Sequence, residues 1–351
     1  MFMSSQYSIS IIGAGAWGIT LAVLLARKGL PVKVWTRTDK FKDDLLTSRE
    51  NRKYLPGIII PPGISCISTD LEEVMKGSKM IVVAVPSPFF REIVRELHPF
   101  SDKNKIFVSV AKGFDESSLC TMSQVLKEEL PSECVENIGV ISGPNLAKEI
   151  ARELPAVTVA ASWNPRVTRK IKQIFQTNYF RVFQSSDVKG VEIAGALKNI
   201  FAIAAGIADT LGFGSNTFAA LLTGGFTEIY SLGVKLGARF ETFLSPAGIG
   251  DLFTTCTSSL SRNKTLGMEL AKGRKLEEIL MTMNAVVEGV NTAKFAYELS
   301  HEHNIDMPIT REVYRVVTGK IKPFDAVQSL MTKGYTETVY NIPRIDFNSR
   351  D

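Results

Sequence analysis

Two lysines stand in largely apolar segments. Lys112 closes the β-branched run from Ile106 to Ala111, and Lys198 interrupts the small-residue segment from Val191 to Ala202. An ammonium group is costly in such places unless an anion or a reacting group meets it. One helical turn from Lys198 lie Ala194, Gly195, Phe201 and Ala202, a mostly small face that leaves room for a substrate. A lysine desolvated in this way titrates lower than usual, which suits proton exchange with an alkoxide near neutral pH. The bland alternatives are a stem that snorkels to the surface for Lys198 and an ordinary exposed strand-end lysine for Lys112.

Gly13-Ala14-Gly15-Ala16-Trp17-Gly18 follows an apolar strand directly and leads into a helix expected over Ile19 to Arg27, stopped at Gly29. In a dinucleotide turn the first glycine makes the bend, and the second lets the backbone approach a pyrophosphate. The third lets helix and strand pack closely, while the helix N-terminus supplies positive potential. With the two lysines, this turn implies hydride chemistry on an anionic carbonyl compound.

About 20 residues past the first glycine, a cofactor without a 2′-phosphate usually meets an acid. Here the second strand ends Trp35-Thr36-Arg37-Thr38. Arg37, with Lys40 nearby, favours NADPH; Asp39 keeps NADH open, and a solvated surface arginine is the remaining alternative.

Open α/β sheets bind ligands at the carboxyl ends of their strands. Val82 to Ser87 leaves a strand through a small, proline-containing exit that fits a cofactor wall, or an ordinary loop. Gly143-Pro144-Asn145 closes another strand, and Ala147-Lys148-Glu149 starts a helix whose first amides could face a substrate. Further on, Ser245 to Cys256 is followed by Ser261-Arg262-Asn263-Lys264. A glycine-flanked acid, Asp251, paired threonines and an Arg-Asn step can orient an ammonium and bind a phosphate. Helix capping by Asp251 and Ser261 is the alternative. The three histidines, His98, His301 and His303, read as structural or exposed, so no metal site is expected and a lysine is the better proton carrier.

These residues need a scaffold. Short β-branched runs recur at Ser8 to Ile12, Val32 to Thr36, Met80 to Val85, Ile106 to Ala111, Ile138 to Ser142, Val157 to Ala161 and Phe180 to Phe183. Amphipathic segments between them predict a Rossmann-like, mainly parallel, doubly wound α/β sheet. After Gly190 such runs stop, and segments such as Asn216 to Leu236 and Leu276 to Met283 carry helical spacing, predicting an all-α second domain. The expected division is a dinucleotide-binding domain over 1–190, a helical substrate domain over 191–342 and a loose tail over 343–351.

The chain has 351 residues, 45% of them hydrophobic, and a formal charge of +5, with no basic cluster interleaved with aromatics. Nucleic-acid binding therefore has little support, and the small excess fits an anionic small substrate. Four cysteines without Cys-x-x-Cys spacing argue against a disulfide framework and for a reduced cytoplasmic protein, with Cys256 a packed thiol. The N-terminal apolar stretch runs straight into the glycine turn and is not read as a signal peptide. The stretch from Val191 to Ala208 contains Glu192, Lys198 and Asn199, which favours a buried helix over membrane insertion.

Taken in chain order, the glycine turn, Ala111-Lys112-Gly113, Ser142-Gly143-Pro144, Gly195-Ala196-Leu197-Lys198-Asn199 and Gly248-Ile249-Gly250-Asp251-Leu252 with Ser261-Arg262-Asn263 form one pattern. It resembles the bacterial NAD(P)-dependent sn-glycerol-3-phosphate dehydrogenases over roughly residues 8 to 335. The resemblance implies reversible reduction of dihydroxyacetone phosphate to sn-glycerol 3-phosphate for phospholipid synthesis. It implies that Lys198 carries the proton, positioned by Asn199 and Asp251, and that Lys112 polarises the substrate oxygen. Gly143, Asn145, Thr255, Ser261, Arg262 and Asn263 would contact the substrate. Gly13, Gly15, Ala16, Trp17, Gly18, Arg37, Lys112, Ala147, Arg262, Val286 and Glu288 would contact the cofactor. The family pattern more often has serine at position 16 and serine or threonine at position 145. A homodimer is compatible with the resemblance. Two other readings stay open: a related dehydrogenase for a different acid or phosphate, and an NADPH-binding sensor without catalysis.

Overall fold

The structure, a computed structural model, describes residues 7–283 and 286–333. Two compact units divide them, one made of the described residues up to Gly195 together with Ser245–Asp251, the other of Ala196–Leu244 and the described residues from Leu252 onward.

Eight strands build the first unit: β1 (Ser8–Ile12), β2 (Val32–Trp35), β3 (Ile64–Ser68), β4 (Ser78–Val83), β5 (Ile106–Ser109), β6 (Ile138–Ser142), β7 (Ala156–Ala161) and β8 (Phe180–Ser185). They lie in the order β3-β2-β1-β4-β5-β6-β7-β8. Every neighbouring pair is parallel except β6 with β7, which run antiparallel. The pleat sends alternate side chains to opposite faces, and both faces are covered, which explains the near-continuous apolar runs. Ile9, Ile11, Val34 and Val82 pack with the Ala16–Arg27 and Pro165–Phe175 helices on one face. Ile12, Ile81, Val83 and Phe107 pack with the Phe90–Leu97 and Met122–Glu129 helices on the other.

The predicted strands are present, with edges shifted: β4 begins at Ser78 and ends at Val83, and β5 stops at Ser109, short of Ala111. Sequence reading missed β3, whose polar-interrupted Ile-Ser-Cys-Ile-Ser lacks a clear apolar signal. The first helix begins at Ala16 rather than Ile19, since the glycine turn itself supplies the first helical residues. The expected boundary after residue 190 falls inside the Val188–Thr210 helix, and the segment Ser245–Asp251 returns to the first unit. The expected tail from 343 lies outside the described residues.

Beyond β8 the described residues contain helices and no strand. In the second unit the Val188–Thr210 and Arg262–Ala271 helices touch backbone to backbone. A Cβ at Gly206 would meet the Lys264 carbonyl oxygen at 2.0 Å, and one at Gly267 would meet that of Ile203 at 2.0 Å. The Val188–Thr210 helix is long and apolar enough to cross a membrane by composition, but 94% of its most apolar window is buried in the protein.

Buried Glu228, on the Ser215–Lys235 helix, accepts hydrogen bonds from the Ile309 and Thr310 amides at 2.7 and 3.0 Å, capping the Pro308–Val317 helix. Burial outweighs these bonds and pushes its carboxyl up to about 7. Because the folded value lies above the unfolded one, the proton-linked stabilisation is complete below about 4.5 and is lost as pH rises through about 7. Glu228→Gln should flatten that part of the dependence of the melting temperature on pH. Parallel wild-type and mutant profiles between those values would show that Glu228 stays ionised.

Candidate active site

The carboxyl ends of β1, β4, β5 and β6 form one rim of the sheet, because these strands are parallel neighbours. The order reverses between β1 and β4, where doubly wound sheets open a ligand crevice. On this rim sits the glycine turn. Gly13 has φ +117°, and a Cβ there would strike the Ala84 carbonyl oxygen at 2.8 Å. A Cβ at Gly18 would fall 1.9 Å from the Gly13 carbonyl oxygen, whereas at Gly15 nothing lies within 4 Å. Two glycines are thus required by packing and the third faces open space. Gly15 is also the N-cap of the Ala16–Arg27 helix, so no side chain covers the first-turn amides of Ala16, Trp17 and Gly18. That cradle fits a pyrophosphate.

At the end of β2, Arg37 is exposed and its guanidinium lies 5.3 Å from the centre of the Phe89 ring. Asp39, the acid that kept NADH open, is engaged by Lys42 Nζ at 2.7 Å and Thr69 Oγ1 at 2.9 Å.

Past the end of β5, Lys112 Nζ donates to the Gly143 carbonyl at 2.9 Å and to Asp251 Oδ2 at 2.7 Å. Asp251 is 1% exposed, so this ion pair is largely removed from water. A π-helical turn, Pro246–Gly250, delivers Asp251 to the first unit. Glycine is favoured at 143, where φ is +155° and a Cβ would lie a tight 3.0 Å from Thr158 Cα. Asn145 does not present its amide freely: Nδ2 donates to the Val157 carbonyl at 2.9 Å and Oδ1 accepts from Thr158 Oγ1 at 2.9 Å. Ala147 begins the Ala147–Ala151 helix as expected.

In the second unit, buried Lys198 donates to Thr255 Oγ1 at 2.7 Å. Asn199 Oδ1 accepts from Asn263 Nδ2 at 2.9 Å, and Asn263 Oδ1 accepts from the Gly289 amide at 3.0 Å. The glycine contacts between the two helices permit this approach. Asn263 thus ties Asn199 to the start of the Glu288–Glu302 helix, where Glu288 also lies and which Val286 precedes. Ser261 caps the Arg262–Ala271 helix by accepting from the Lys264 amide, the capping role anticipated as an alternative. Arg262 is exposed at the first position of that helix, and its guanidinium makes no ion pair among the described residues. Among those residues no His, Cys, Asp and Glu side chains gather to hold a metal ion.

Sequence reading missed two features around Lys112. Buried Glu192 was legible as a carboxylate in an apolar helix, but its partner Ser123 was not. In the segment after Lys112, Asp115 contacts Arg91. Burial pushes its carboxyl up, but hydrogen bonds from Ser117, Arg91 and Ser118 hold it down at about 2.

A doubly wound sheet with an open glycine cradle and a paired lysine on the same rim defines a dinucleotide-dependent oxidoreductase. Residues 8–168 match the model of the NAD-dependent glycerol-3-phosphate dehydrogenase N-terminus, and residues 187–328 match that of its C-terminus. The chain belongs to the NAD-dependent glycerol-3-phosphate dehydrogenase family. It is 46% identical over 334 residues to the glycerol-3-phosphate dehydrogenase [NAD(P)+] of Thermoanaerobacter sp. (strain X514), covering 95% of this chain and 99% of that protein. The Geobacter sulfurreducens enzyme of the same name is 44% identical over 93% of this chain and 97% of its own length. The crystal structure of glycerol-3-phosphate dehydrogenase from Coxiella burnetii superposes with a TM-score of 0.88 at 34% identity, covering 94% of this chain and all 100% of that one.

Proposed function

We propose that the protein reduces dihydroxyacetone phosphate reversibly to sn-glycerol 3-phosphate with NADPH or NADH, supplying glycerophospholipid synthesis. The observation that carries this reading is the Lys112 ammonium, fixed by buried Asp251 and the Gly143 carbonyl on the rim that bears the glycine cradle. A cation so fixed is pre-organised to meet a substrate oxygen and stabilise negative charge as it develops there. Lys198 Nζ, held by Thr255, is the proton carrier of the reaction. Arg262, whose guanidinium makes no ion pair among the described residues, takes the substrate phosphate by bidentate hydrogen bonding. The bound nicotinamide supplies the hydride for the carbonyl carbon.

NADPH oxidation in the presence of dihydroxyacetone phosphate tests the reading. Turnover of a different oxoacid or phosphate alone would point to a related dehydrogenase, and no turnover with any carbonyl compound would point to a cofactor sensor. We place the enzyme in the cytoplasm as a homodimer. Four free cysteines support the former, and exposed Leu244, Phe253 and Leu260 on the second unit support the latter.

We assign the cofactor preference to NADPH, because Arg37 is exposed while Asp39 is committed to Lys42 and Thr69. A charge-assisted bond contributes about 1.5–3 kcal/mol, less when open to solvent. Arg37→Ala should therefore weaken NADPH binding by up to roughly tenfold and leave NADH almost untouched. Titration of both cofactors decides it; equal losses would place Arg37 on a part of the cofactor common to both.

A further inference from the structure

Glu192 is 8% exposed on the part of the Val188–Thr210 helix that belongs to the first unit, among Val188, Val191, Ile193 and Ala194. Its carboxylate accepts from the Ser123 amide at 2.8 Å and from Ser123 Oγ. Ser123 lies in the first turn of the Met122–Glu129 helix, which already has its own cap, a reciprocal pair of bonds between Thr121 and Gln124. A carboxylate brought across 69 positions of sequence is therefore not needed to start that helix. Keeping it is costly, because burial pushes the Glu192 carboxyl up against the hydrogen bonds that favour its ionised form.

What the bond fixes becomes visible one helical turn on. A Cβ at Gly195 would meet Ser142 Oγ at 2.6 Å and Lys112 Cγ at 3.6 Å. The backbone of the helix at Gly195 thus passes about a methyl's width from the stem of Lys112, leaving no room for a larger shift of that side chain toward it, and the same side chain's Nζ reaches the Gly143 carbonyl and Asp251. A displacement of this helix segment away from the stem would widen that space and let the lysine change rotamer. Ser142 is 4% exposed, and its Oγ has no hydrogen-bond partner among the described residues, so it cannot hold the helix there. The Glu192 to Ser123 bonds can.

We propose that Glu192 is a positioning residue for Lys112, holding the Val188–Gly195 segment at the depth that confines the lysine stem and aims its ammonium. The proposal rests on the reading of Lys112 as the cation that meets the substrate. Misplacement of a contact by ~1 Å can cost on the order of 100-fold in rate, so Glu192→Ala should lower kcat/KM for dihydroxyacetone phosphate by about 10–100-fold. The dissociation constant for glycerol 3-phosphate, read by calorimetry, should rise by more than that for NADPH. Glu192→Gln keeps the length and an acceptor for the Ser123 amide and should restore most of the loss.

A double-mutant cycle separates positioning from general support of the fold. If Glu192 acts through Lys112, its removal from a Lys112→Ala enzyme should cost less than about threefold, because the group it aims is gone. An equal loss in both backgrounds overturns the proposal while leaving the role of Lys112 intact. If Lys112→Ala alone leaves kcat/KM and glycerol 3-phosphate binding unchanged, the reading of Lys112 falls and the positioning proposal with it. Should Glu192→Ala fail to fold, judged by its thermal transition, Ser123→Ala in the same two backgrounds removes the Oγ bond from the other side while the amide bond stays; it should give a smaller loss that again shrinks when Lys112 is absent, and an equal loss in both backgrounds overturns the proposal.

Discussion

Replacing Lys198 with alanine is expected to lower kcat by about 10²–10⁴, the range typical of a positioned proton carrier. The side chain is 6% exposed, and Thr255 Oγ1 accepts one of its hydrogens at 2.7 Å, so its direction is fixed by packing as well as by charge. NADPH affinity should change little, since the loss concerns a proton needed only as charge develops on the substrate oxygen. Steady-state kinetics together with fluorescence titration of NADPH measure the two quantities. Near-normal turnover in a folded Lys198→Ala enzyme would rule the role out.

The next largest change is expected at Arg262. Its guanidinium projects from the start of the Arg262–Ala271 helix without an ion pair among the described residues, and a planar fork matches two phosphate oxygens where an ammonium matches one point. Arg262→Lys should reduce the preference for dihydroxyacetone phosphate over unphosphorylated dihydroxyacetone by about 10–150-fold, the equivalent of 1.5–3 kcal/mol. An unchanged ratio of the two catalytic efficiencies would place the phosphate elsewhere.

The contrast between Arg262 and its neighbour Asn263 shows what sequence can carry. Both stand in one short motif and both read as substrate contacts. In the fold, Asn263 spends its amide on Asn199 and Gly289, and Arg262 spends nothing among the described residues. Spacing reports that two residues belong to a site; it does not report how their hydrogen bonds are divided. Asn145 repeats the lesson, since both ends of its amide are bonded to β7. The demands on Gly13 and Gly18, by contrast, are legible in the sequence, because each answers to local backbone geometry within a strand, turn and helix, although the helix start is read three residues late. The alternating strands and the helical second half were legible for the same reason, through periodicity and β-branching. β3 was not, for its pairing with β2 supplies the stability that its own residues lack. The Lys112 to Asp251 pair depends on a contact across 139 positions, which no local signal encodes.

The return of Ser245–Asp251 to the first unit bears on how the protein is made. Ala247 packs with Val140, Val159, Ala161, Val188 and Val191, and Asp251 neutralises Lys112. A nascent chain that has emerged only as far as Gly195 therefore has every strand of its sheet, yet an apolar patch remains bare and a cation lacks its counter-ion. At translation speeds of about 5–20 residues per second, that half-finished state persists for some seconds while the next stretch is synthesised. Completion of the first unit thus waits on Ser245–Asp251, which leave the ribosome only after the opening helices of the second unit have been synthesised.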